Sequence, residues 1–449
     1  MPRLPTKISS IPFFGSVFEY AKDPLKYYER LQSLEKPIVY DKLFGKYFYI
    51  VFDGNLIDEI FIKNSKNYEK NKFLKSFSDF FGEGLLTSDG ARWRQDRKII
   101  QPSFNRNKIS LYSERMLVES QSFIKKLDGK SEIKVMQTMT QMTLGIFLNA
   151  VLGIELDEEI YQSVLQTTTD CNEYLAKSSN PLGFMISKLP TSDRRKYLGG
   201  IKSFEKIIYK IIDQKKIDIN NGIESNDLIT SLLRSRDEEG NPLDLVNLRD
   251  QVMTFLVAGH ETSALTLSFA FHVLASRSDI QTKLYNELIL AFPDGKIDLN
   301  QLNDVTYLNQ FINETLRYYP TSWMIGRDAL EEAVVGDFII TKGAMVTLPI
   351  WAIHRNAKYY NEPLIFNPER WTKDFEAQLP KHAFVPFGYG PRVCIGQAFA
   401  MNEFRISIAS ILLNYKFTII GPLELEVTTL IMARPKHDFL VSVKPRSFL

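Results

Sequence analysis

The sequence predicts a helix-dominated α+β protein with small sheets near both ends of the chain. Apolar residues recur at helical spacing through most of the stretch between residues 89 and 292. Residues 37–52 and 332–349 are instead typical of short strands joined at Gly45-Lys46 and at Thr341-Lys342-Gly343. A hydrophobic fraction of 44% in 449 residues is ample for a large core.

The individual elements follow from periodicity and from turn residues. The first 24 residues are predicted to be irregular because they contain four prolines, and residues 73–81 are predicted to form a phenylalanine-rich loop. Residues 356–386 are rich in turns, and Pro181, Gly183 and Pro190 interrupt the helical pattern. A helix is predicted from Cys394 to about Tyr415, with short strands over 416–443. The other predicted helices cover 27–34, 55–62, 90–101, 108–127, 136–152, 157–178, 192–217, 226–236, 247–276, 279–291 and 305–318.

Charge and cysteine usage exclude several classes of protein. A formal net charge of +2 with no basic run gives no sign of a nucleic-acid partner. Cys171 and Cys394 do not make a disulfide framework, so a reducing, cytoplasmic location is expected.

The N-terminus lacks the apolar stretch of a signal peptide or transmembrane anchor. The apolar patch Ile11 to Phe18 is expected to pack under the fold, with contact to a membrane surface as the alternative.

The most informative segment is Phe-Gly-Tyr-Gly-Pro-Arg-Val-Cys-Ile-Gly, residues 387–396. Gly388 and Gly390 permit backbone conformations that are closed to other residues, and a helical pattern follows Cys394. A thiolate at a helix N-terminus is stabilised by backbone amides and by the macrodipole, and such a thiolate can ligate haem iron. For an isolated cysteine, a buried thiol that acts as a small hydrophobe would be the better interpretation.

This segment resembles the cysteine loop of the cytochrome P450 family, Phe-x-x-Gly-x-Arg-x-Cys-x-Gly, and every specified position is present. The resemblance implies one catalytic domain, 1–449, with the P450 fold and a long central helix over haem b. Cys394 would be the iron ligand and Arg392 would pair with a propionate. Phe387 would shield the sulfur, Gly388 would shape the loop, and Gly396 would let the flat ring approach closely.

The second motif is Ala-Gly-His-Glu-Thr-Ser, residues 258–263, inside the apolar stretch Val252 to Val273. The Thr262 hydroxyl is predicted to compete for the carbonyl of Ala258 and to open the helix into a groove. The segment resembles the family's central-helix pattern, which implies that Glu261 and Thr262 control proton supply. A buried helix with tolerated polar residues is the alternative, whereas a His-Glu-x-x-His metalloprotease is excluded because residue 264 is alanine.

The third motif is Glu314-x-x-Arg317, whose side chains share one helix face. By itself such a pair is usually a solvated surface pair. In the family it is buried and joins an arginine from a Pro-Glu-Arg-Phe loop, which here reads Pro-Glu-Arg-Trp at 368–371. Arg370 would complete a structural cluster that holds the cysteine loop.

The fourth motif is Trp93-x-x-x-Arg97, which the family uses to bind a haem propionate. Arg327 stands where another propionate-binding arginine is expected. A surface aromatic–cation pair is the alternative for Trp93 and Arg97. The order and separation of the four motifs, rather than any one alone, extend the resemblance over nearly the whole chain.

The resemblance implies a haem-thiolate monooxygenase that inserts one oxygen atom from O2 into a C–H bond of a small apolar substrate. The chain ends about fifty residues after Cys394, so electrons are expected from a separate ferredoxin or flavodoxin with an NAD(P)H reductase. Arg92, Arg94 and Lys98 are candidates for its docking face, with an ordinary solvated face as the alternative. A monomer is expected.

The substrate is predicted less sharply than the reaction. Expected pocket walls are residues 73–81, 180–189, 322–325 and the central helix, all rich in apolar side chains. Residues 390–403 resemble fatty-acid and alkane hydroxylases, which favours a fatty acid or other lipid. Residues 323–327 also resemble bacterial terpenoid oxidases, so a terpenoid or steroid hydroxylase stays open. A haem-thiolate peroxygenase or isomerase and a haem-binding sensor stay open as well.

Overall fold

A computed structural model describes residues 2–8, 11–43, 45–155, 157–178, 191–237 and 239–446. Within these ranges the α-helices are α1 Val17–Lys22, α2 Pro24–Gln32, α3 Gly54–Asp58, α4 Lys72–Lys75, α5 Ser78–Phe81, α6 Gly90–Ile100, α7 Arg106–Lys125, α8 Val135–Phe147, α9 Glu158–Ser178, α10 Ser192–Asn220, α11 Leu228–Arg234, α12 Leu245–Ser276, α13 Ser278–Ala291, α14 Leu299–Leu302, α15 Thr306–Tyr318, α16 Ile350–Ile353, α17 Lys373–Gln378 and α18 Gln397–Asn414. The strands are β1 Thr6–Lys7, β2 Ile38–Leu43, β3 Lys46–Val51, β4 Tyr68–Lys70, β5 Glu132–Lys134, β6 Ile325–Ala329, β7 Ala333–Val335, β8 Phe338–Ile340, β9 Met345–Leu348, β10 Tyr415–Ile420, β11 Val427–Thr429, β12 Ala433–Pro435 and β13 Leu440–Pro445.

The chain divides into two compact units, and the first contains Met1–Ser76 and Asn313–Cys394. Its main sheet has six strands in the order β1-β2-β3-β9-β6-β4, and β7 pairs with β8 beside it. The predicted hairpin is confirmed, because β2 and β3 pair antiparallel from Ile38↔Val51 to Leu43↔Lys46. Its core contains alternate sheet residues such as Val346 and Leu348, packed with Ile57 and Ile60.

The second unit contains Phe77–Ile312 and Ile395–Leu449. Its central element is α12, which is 32 residues long and buried over most of its circumference. A helix that is apolar on nearly all sides belongs in the core of a large protein. The unit also holds the sheets β10-β13-β5 and β11-β12.

Side-chain caps explain where the long helices begin. The Asp244 carboxylate accepts a hydrogen bond of 2.8 Å from the Asn247 amide at the start of α12. The Asn105 side chain caps α7 in the same way, at 2.9 Å from the Lys108 amide. Each cap satisfies an amide that has no partner inside the helix, so these polar residues fix the helix starts.

The predicted fold class is confirmed, while some local predictions are wrong. Residues 73–81 form most of two short helices, α4 and α5, rather than a loop. The N-terminal 24 residues include β1 and α1, and the patch Ile11 to Phe18 does not pack under the fold, since Phe13 is 78% exposed. Residues 181, 183 and 190 lie outside the described residues. The assignment of 1–449 to one domain stays a prediction.

One described segment, Val135–Leu152, has the length and apolar composition of a membrane-crossing helix. About two-thirds of it, 67%, is buried inside the protein. It begins with α8 and continues through a π-helical turn, Leu148–Leu152, which matches the predicted helix over 136–152. This burial is the behaviour of a core helix.

Candidate functional site

The cysteine loop is a tight turn closed by backbone hydrogen bonds. The Cys394 amide donates to the Phe387 carbonyl at 2.8 Å, and the Val393 amide donates to the Gly390 carbonyl at 3.1 Å. Cys394 is exposed and lies three residues before α18, whereas Cys171 is buried. The chain therefore presents the Cys394 thiol at the surface of a rigid loop.

Two glycines make this turn possible. Gly388 and Gly390 have φ angles of 89° and 76°, in the region where other residues are strained. A Cβ on Gly390 would also lie 2.1 Å from the Phe61 carbonyl oxygen, too close for any side chain. Gly396 has a φ of −88°, which any residue adopts, so close approach of a flat ring stays the predicted reason for glycine there.

Buried polar contacts anchor the segment that leads into the loop. The fully buried His354 accepts a 3.0 Å hydrogen bond at Nε2 from the Val385 amide. Burial lowers the pKa of His354 to about 3, because the charged imidazole would lose its hydration, and the nearby Arg317 and Arg355 lower it further. A neutral His354 is required for this bond. The Tyr389 hydroxyl donates to Asp58 at 2.6 Å.

The predicted cluster around Glu314 is assembled, and it has one more member than the sequence suggested. Arg317 donates to both carboxylate oxygens of Glu314, at 2.7 and 2.8 Å, and Arg370 donates at 3.1 Å. Trp371 donates its indole N–H to the same carboxylate at 2.9 Å. The tryptophan that departs from the family's phenylalanine therefore adds a hydrogen bond to a fully buried charge.

The two arginines of this cluster also hold the surrounding backbone. Each donates to several carbonyl oxygens of the segment between α16 and α17. The carbonyls are those of His354, Pro363 and Ile365 for Arg317, and of Asn361, Glu362 and Ile365 for Arg370. The cluster therefore ties α15 to the backbone between α16 and α17, while its role in holding the cysteine loop stays a prediction.

Arg327 lies on β6 and is largely buried, with its guanidinium 6.0 Å from the centre of the Phe61 ring. It donates to the Gly326 carbonyl at 2.9 Å. Arg392 ends the short 3-10 turn Gly390–Arg392 that precedes the cysteine. Both residues belong to the first unit, and their pairing with propionates stays a prediction.

The central helix α12 has an accessible face at the predicted motif. Its residues from Gln251 to Ala275 are buried except for Ala258, Gly259, Glu261 and Thr262. Their spacing of one, three and four residues places them on one side of the helix. The accessible face of α12 is therefore formed by residues of the predicted motif, 258–263.

The Thr262 hydroxyl donates to the Ala258 carbonyl at 2.9 Å, as predicted. The expected opening of the helix is wrong, because α12 continues without a break from Leu245 to Ser276. Threonine can bond back to the preceding turn within a regular helix, so the bond alone does not break the ladder. Gly259 is explained by packing, since a Cβ there would lie 2.1 Å from the Phe147 ring.

Glu261 pairs with a residue that the sequence did not reveal. The Arg434 guanidinium, from β12, lies 3.7 Å from the Glu261 carboxylate, and both side chains are partly buried. No motif marked Arg434, because it belongs to a short strand far from α12 in sequence.

The second cysteine, Cys171, is buried. Burial together with the Glu261 charge raises the pKa of the Cys171 thiol, and a thiol with a raised pKa is a poor nucleophile and metal ligand.

Trp93 and Arg97 share one face of α6, as predicted, and line an open cleft of about 650 Å³ with Arg94, Lys98 and Gln101. The helix is fixed from its other side, where buried Asp96 accepts a 3.2 Å hydrogen bond from Asn247. Arg92 also contacts Asp96, at 3.3 Å, so it is held to its own helix. A docking role for Arg92, Arg94 and Lys98 stays a prediction.

Two of the expected pocket walls are packed core in part. Phe80 stacks on Phe204 at 6.3 Å and is fully buried. Trp323 is buried against Tyr28, with ring centroids 5.9 Å apart. Phe73 and Ile325, from the same two segments, remain accessible to solvent. Residues 180–189 lie outside the described residues, so a pocket formed by these segments stays a prediction.

Each unit contains side chains of the kind that the implied haem requires. In the first unit, the exposed Cys394 thiol on its rigid loop has the chemistry of an iron ligand, and Arg327 and Arg392 are suited to pair with carboxylates. In the second unit, Trp93 and Arg97 are donors of the same kind, and the binding of haem by these residues stays a prediction. Among the described residues no group of three His, Cys, Asp or Glu side chains could hold a metal ion instead.

Comparison with known proteins gives the family. The sequence model of the cytochrome P450 family matches residues 4–441. Cyclooctat-9-en-7-ol 5-monooxygenase from Streptomyces melanosporofaciens is 27% identical over 90% of this chain and 88% of its own length. A cytokinin hydroxylase from Arabidopsis thaliana is 30% identical over 82% of this chain and 72% of its own length. A solved cytochrome P450 haem domain, 24% identical, superposes over 100% of this chain and 99% of its own with a TM-score of 0.87.

The match over nearly the whole sequence carries the assignment, and the structural likeness confirms the fold. Members of this family bind haem and use O2 and redox partners. The chain belongs to the cytochrome P450 family and is an oxidoreductase of the P450 monooxygenase class.

Proposed function

We propose that this P450 inserts one oxygen atom from O2 into a C–H bond of an apolar substrate, with a fatty acid or similar lipid as the first candidate. The observation that carries the proposal is the accessible face of α12. In the second unit, a long buried helix exposes one small apolar side chain, Ala258, beside the polar pair Glu261 and Thr262. This combination provides apolar contact for a substrate and a proton source at one place.

The residues take separate roles in this proposal. Cys394 would ligate the iron of haem b through its thiolate, and Trp93, Arg97, Arg327 and Arg392 would bind the propionates. When bound, the haem would supply the iron that activates dioxygen, and thiolate donation would favour O–O cleavage. The Thr262 hydroxyl would pass protons to the reacting oxygen. Glu261 would bring protons to that hydroxyl from solvent.

Separate redox proteins supply the electrons, either a ferredoxin or a flavodoxin with its NAD(P)H reductase, and the enzyme works in the cytoplasm. A terpenoid or steroid substrate is the second candidate. It is favoured by the similarity to cyclooctat-9-en-7-ol 5-monooxygenase, whose named substrate is an apolar cyclic alcohol. Titration with fatty acids and with terpenoid alcohols distinguishes the two candidates, because binding of the true substrate displaces water and shifts the Soret band.

The carbon-monoxide difference spectrum of the dithionite-reduced protein tests the thiolate ligand. We expect a strongly red-shifted Soret band that is lost in Cys394→Ala and kept in Cys171→Ala, the matched control. A folded, haem-loaded protein without this band would contradict the assignment of Cys394. Product formation that needs peroxide but not NAD(P)H would instead support a peroxygenase.

Replacement of Thr262 tests the proton route. Thr262→Ala is expected to keep haem and substrate binding while a larger share of the consumed NAD(P)H appears as hydrogen peroxide. Thr266→Ala is the control, because Thr266 makes the same 2.9 Å bond to the preceding turn but is buried. Equal peroxide yields in the two variants would contradict the role of Thr262.

A further inference from the structure

The segment Ile11 to Phe18 forms a closed loop that presents aromatic side chains to solvent. Backbone bonds join Ile11 and Gly15 in both directions, at 2.8 and 3.2 Å. The loop is fixed below by Asp41, whose carboxylate accepts a 2.6 Å bond from the Ser16 amide. At its tip Phe13 is 78% exposed, and Ile11 and Phe14 are also exposed. Hydrogen bonds therefore hold this loop in a defined conformation.

The backbone of this loop is strained at Phe13, the most exposed residue of the loop. Phe13 has a φ of 67°, and such a conformation is rare for a bulky residue. Gly15 has a φ of 54° and cannot carry a Cβ, which would lie 2.8 Å from the Asp41 carboxylate. Neither the strained φ angle nor the exposed ring stabilises the folded state. Backbone strain is found most often at functional positions, and exposed apolar patches often mark interaction sites.

The exposed surface continues onto α1. The Phe18 ring is 62% exposed and lies 5.8 Å from that of Phe14. Lys22 is exposed one turn further along the same helix face. We call Ile11, Phe13, Phe14 and Phe18 the aromatic patch.

The charges around the aromatic patch favour an anionic partner. Lys7 and Lys22 are both exposed near it in sequence. The acidic residues between positions 11 and 30 each lie close to a basic side chain: Glu19 accepts a 2.7 Å bond from Arg30, Asp23 lies 3.9 Å from Lys26, and Glu29 lies 3.6 Å from Arg355. Aromatic rings with flanking lysines are the composition that binds the interface of an anionic bilayer.

We propose that the aromatic patch is a peripheral membrane-binding surface, which inserts its phenylalanine rings among the headgroups of a bilayer rich in anionic lipid. The basic side chains contact the headgroups, and the rings enter the boundary with the acyl chains. The proposal does not depend on the proposed reaction, because it concerns lipid contact by the first unit alone.

Co-sedimentation with sucrose-loaded vesicles tests the proposal on the haem-loaded protein of 449 residues. Vesicles of phosphatidylcholine with phosphatidylglycerol are expected to bind the protein, and pure phosphatidylcholine vesicles are expected to bind it roughly tenfold more weakly. The double variant Phe13→Asn with Phe18→Ser is expected to lower the partition coefficient by at least about tenfold, since two aromatic rings no longer enter the interface. Leu290→Asn is the matched control, because Leu290 is 82% exposed in the other unit.

The variants keep the test independent of folding. Asparagine tolerates positive φ, so Phe13→Asn should keep or raise the thermal midpoint. Equal binding by the double variant and the parent protein would overturn the proposal, as would failure of the parent protein to bind either vesicle. A parent dimer that becomes a monomer in the double variant, without vesicle binding, would assign the patch to a second copy of the chain and would also overturn it.

Discussion

Arg434 lies 3.7 Å from Glu261, the acid of the central-helix motif, and thus connects the strand β12 to α12. The two side chains are 25% and 17% exposed, so the pair is partly shielded from water. An ion pair in this position holds the carboxylate on one side of the helix. If Glu261 supplies protons, Arg434 determines where that carboxylate points when it does so.

We expect Arg434→Ala to lower the fraction of NAD(P)H that is used for product, in the same direction as Thr262→Ala but less strongly. Stability should fall by no more than about 1 kcal/mol, because a partly exposed pair contributes little. The measurement compares product, peroxide and NAD(P)H consumed in each variant. Arg434→Lys should restore most of the coupling, since it keeps the charge.

Lys436→Ala provides the matched control for Arg434. Lys436 pairs with Glu426 at 2.7 Å across the same hairpin, but both side chains are exposed. Its loss should leave coupling unchanged. A similar loss of coupling in Lys436→Ala would mean that the hairpin as a whole matters, rather than the ion pair to Glu261.

Trp371 gives a prediction about stability. Trp371→Phe installs the family's residue but removes one of the hydrogen bonds to buried Glu314. We expect it to lower the free energy of unfolding by about 1–3 kcal/mol, the cost of a lost bond to a buried charged group. Glu314→Gln should cost more, on the order of 3–5 kcal/mol, because two buried arginines then lack their carboxylate. Urea unfolding measures both, and an unchanged Trp371→Phe would show that water replaces the indole.

Local patterns predicted the fold and the motif residues better than they predicted tertiary partners. The Thr262 bond to Ala258 followed from helix geometry alone, since residues four apart are always neighbours. The hairpin β2-β3 followed from alternation around a glycine turn. Arg434 and Asp41 could not be assigned, because nothing local marks a charged residue that pairs across the fold. The packing of Phe80 and Trp323 also depends on tertiary neighbours, which a run of apolar residues does not specify.

His354 predicts sensitivity to acid. Its pKa is about 3 in the folded protein, below the ordinary 6.5, so the unfolded chain binds more protons between these values. Stability should therefore fall as the pH is lowered from about 6.5 towards 3, by roughly 3–5 kcal/mol in total. His354→Gln keeps an acceptor for the Val385 amide and does not titrate, so its unfolding free energy should depend less on pH in this range. His437→Gln, at an exposed position, should behave like the parent protein. If the unfolding free energy depends equally on pH in the parent protein and in both variants, His354 is not the group responsible.

Glu403 predicts the opposite dependence. This residue of α18 is fully buried, and burial raises the pKa of its carboxyl to about 8, although the nearby Ser263 hydroxyl lowers it slightly. The folded protein then binds more protons than the unfolded chain between pH 4.5 and 8, so this group makes stability fall as the pH rises.

Glu403→Gln imitates the neutral carboxyl and removes the pH dependence of stability that titration of Glu403 causes. Urea unfolding gives the free energy of unfolding of the variant and of the parent protein at each pH. The variant's value minus the parent's should be larger at pH 8 than at pH 4.5 by about 2–4 kcal/mol. Glu426→Gln is the control, because Glu426 is exposed and its carboxyl pKa is lowered by the bond to Lys436. If Glu403→Gln and the parent protein keep a constant difference from pH 4.5 to 8, the Glu403 carboxyl is ionised in the folded protein and must have charged or hydrated neighbours.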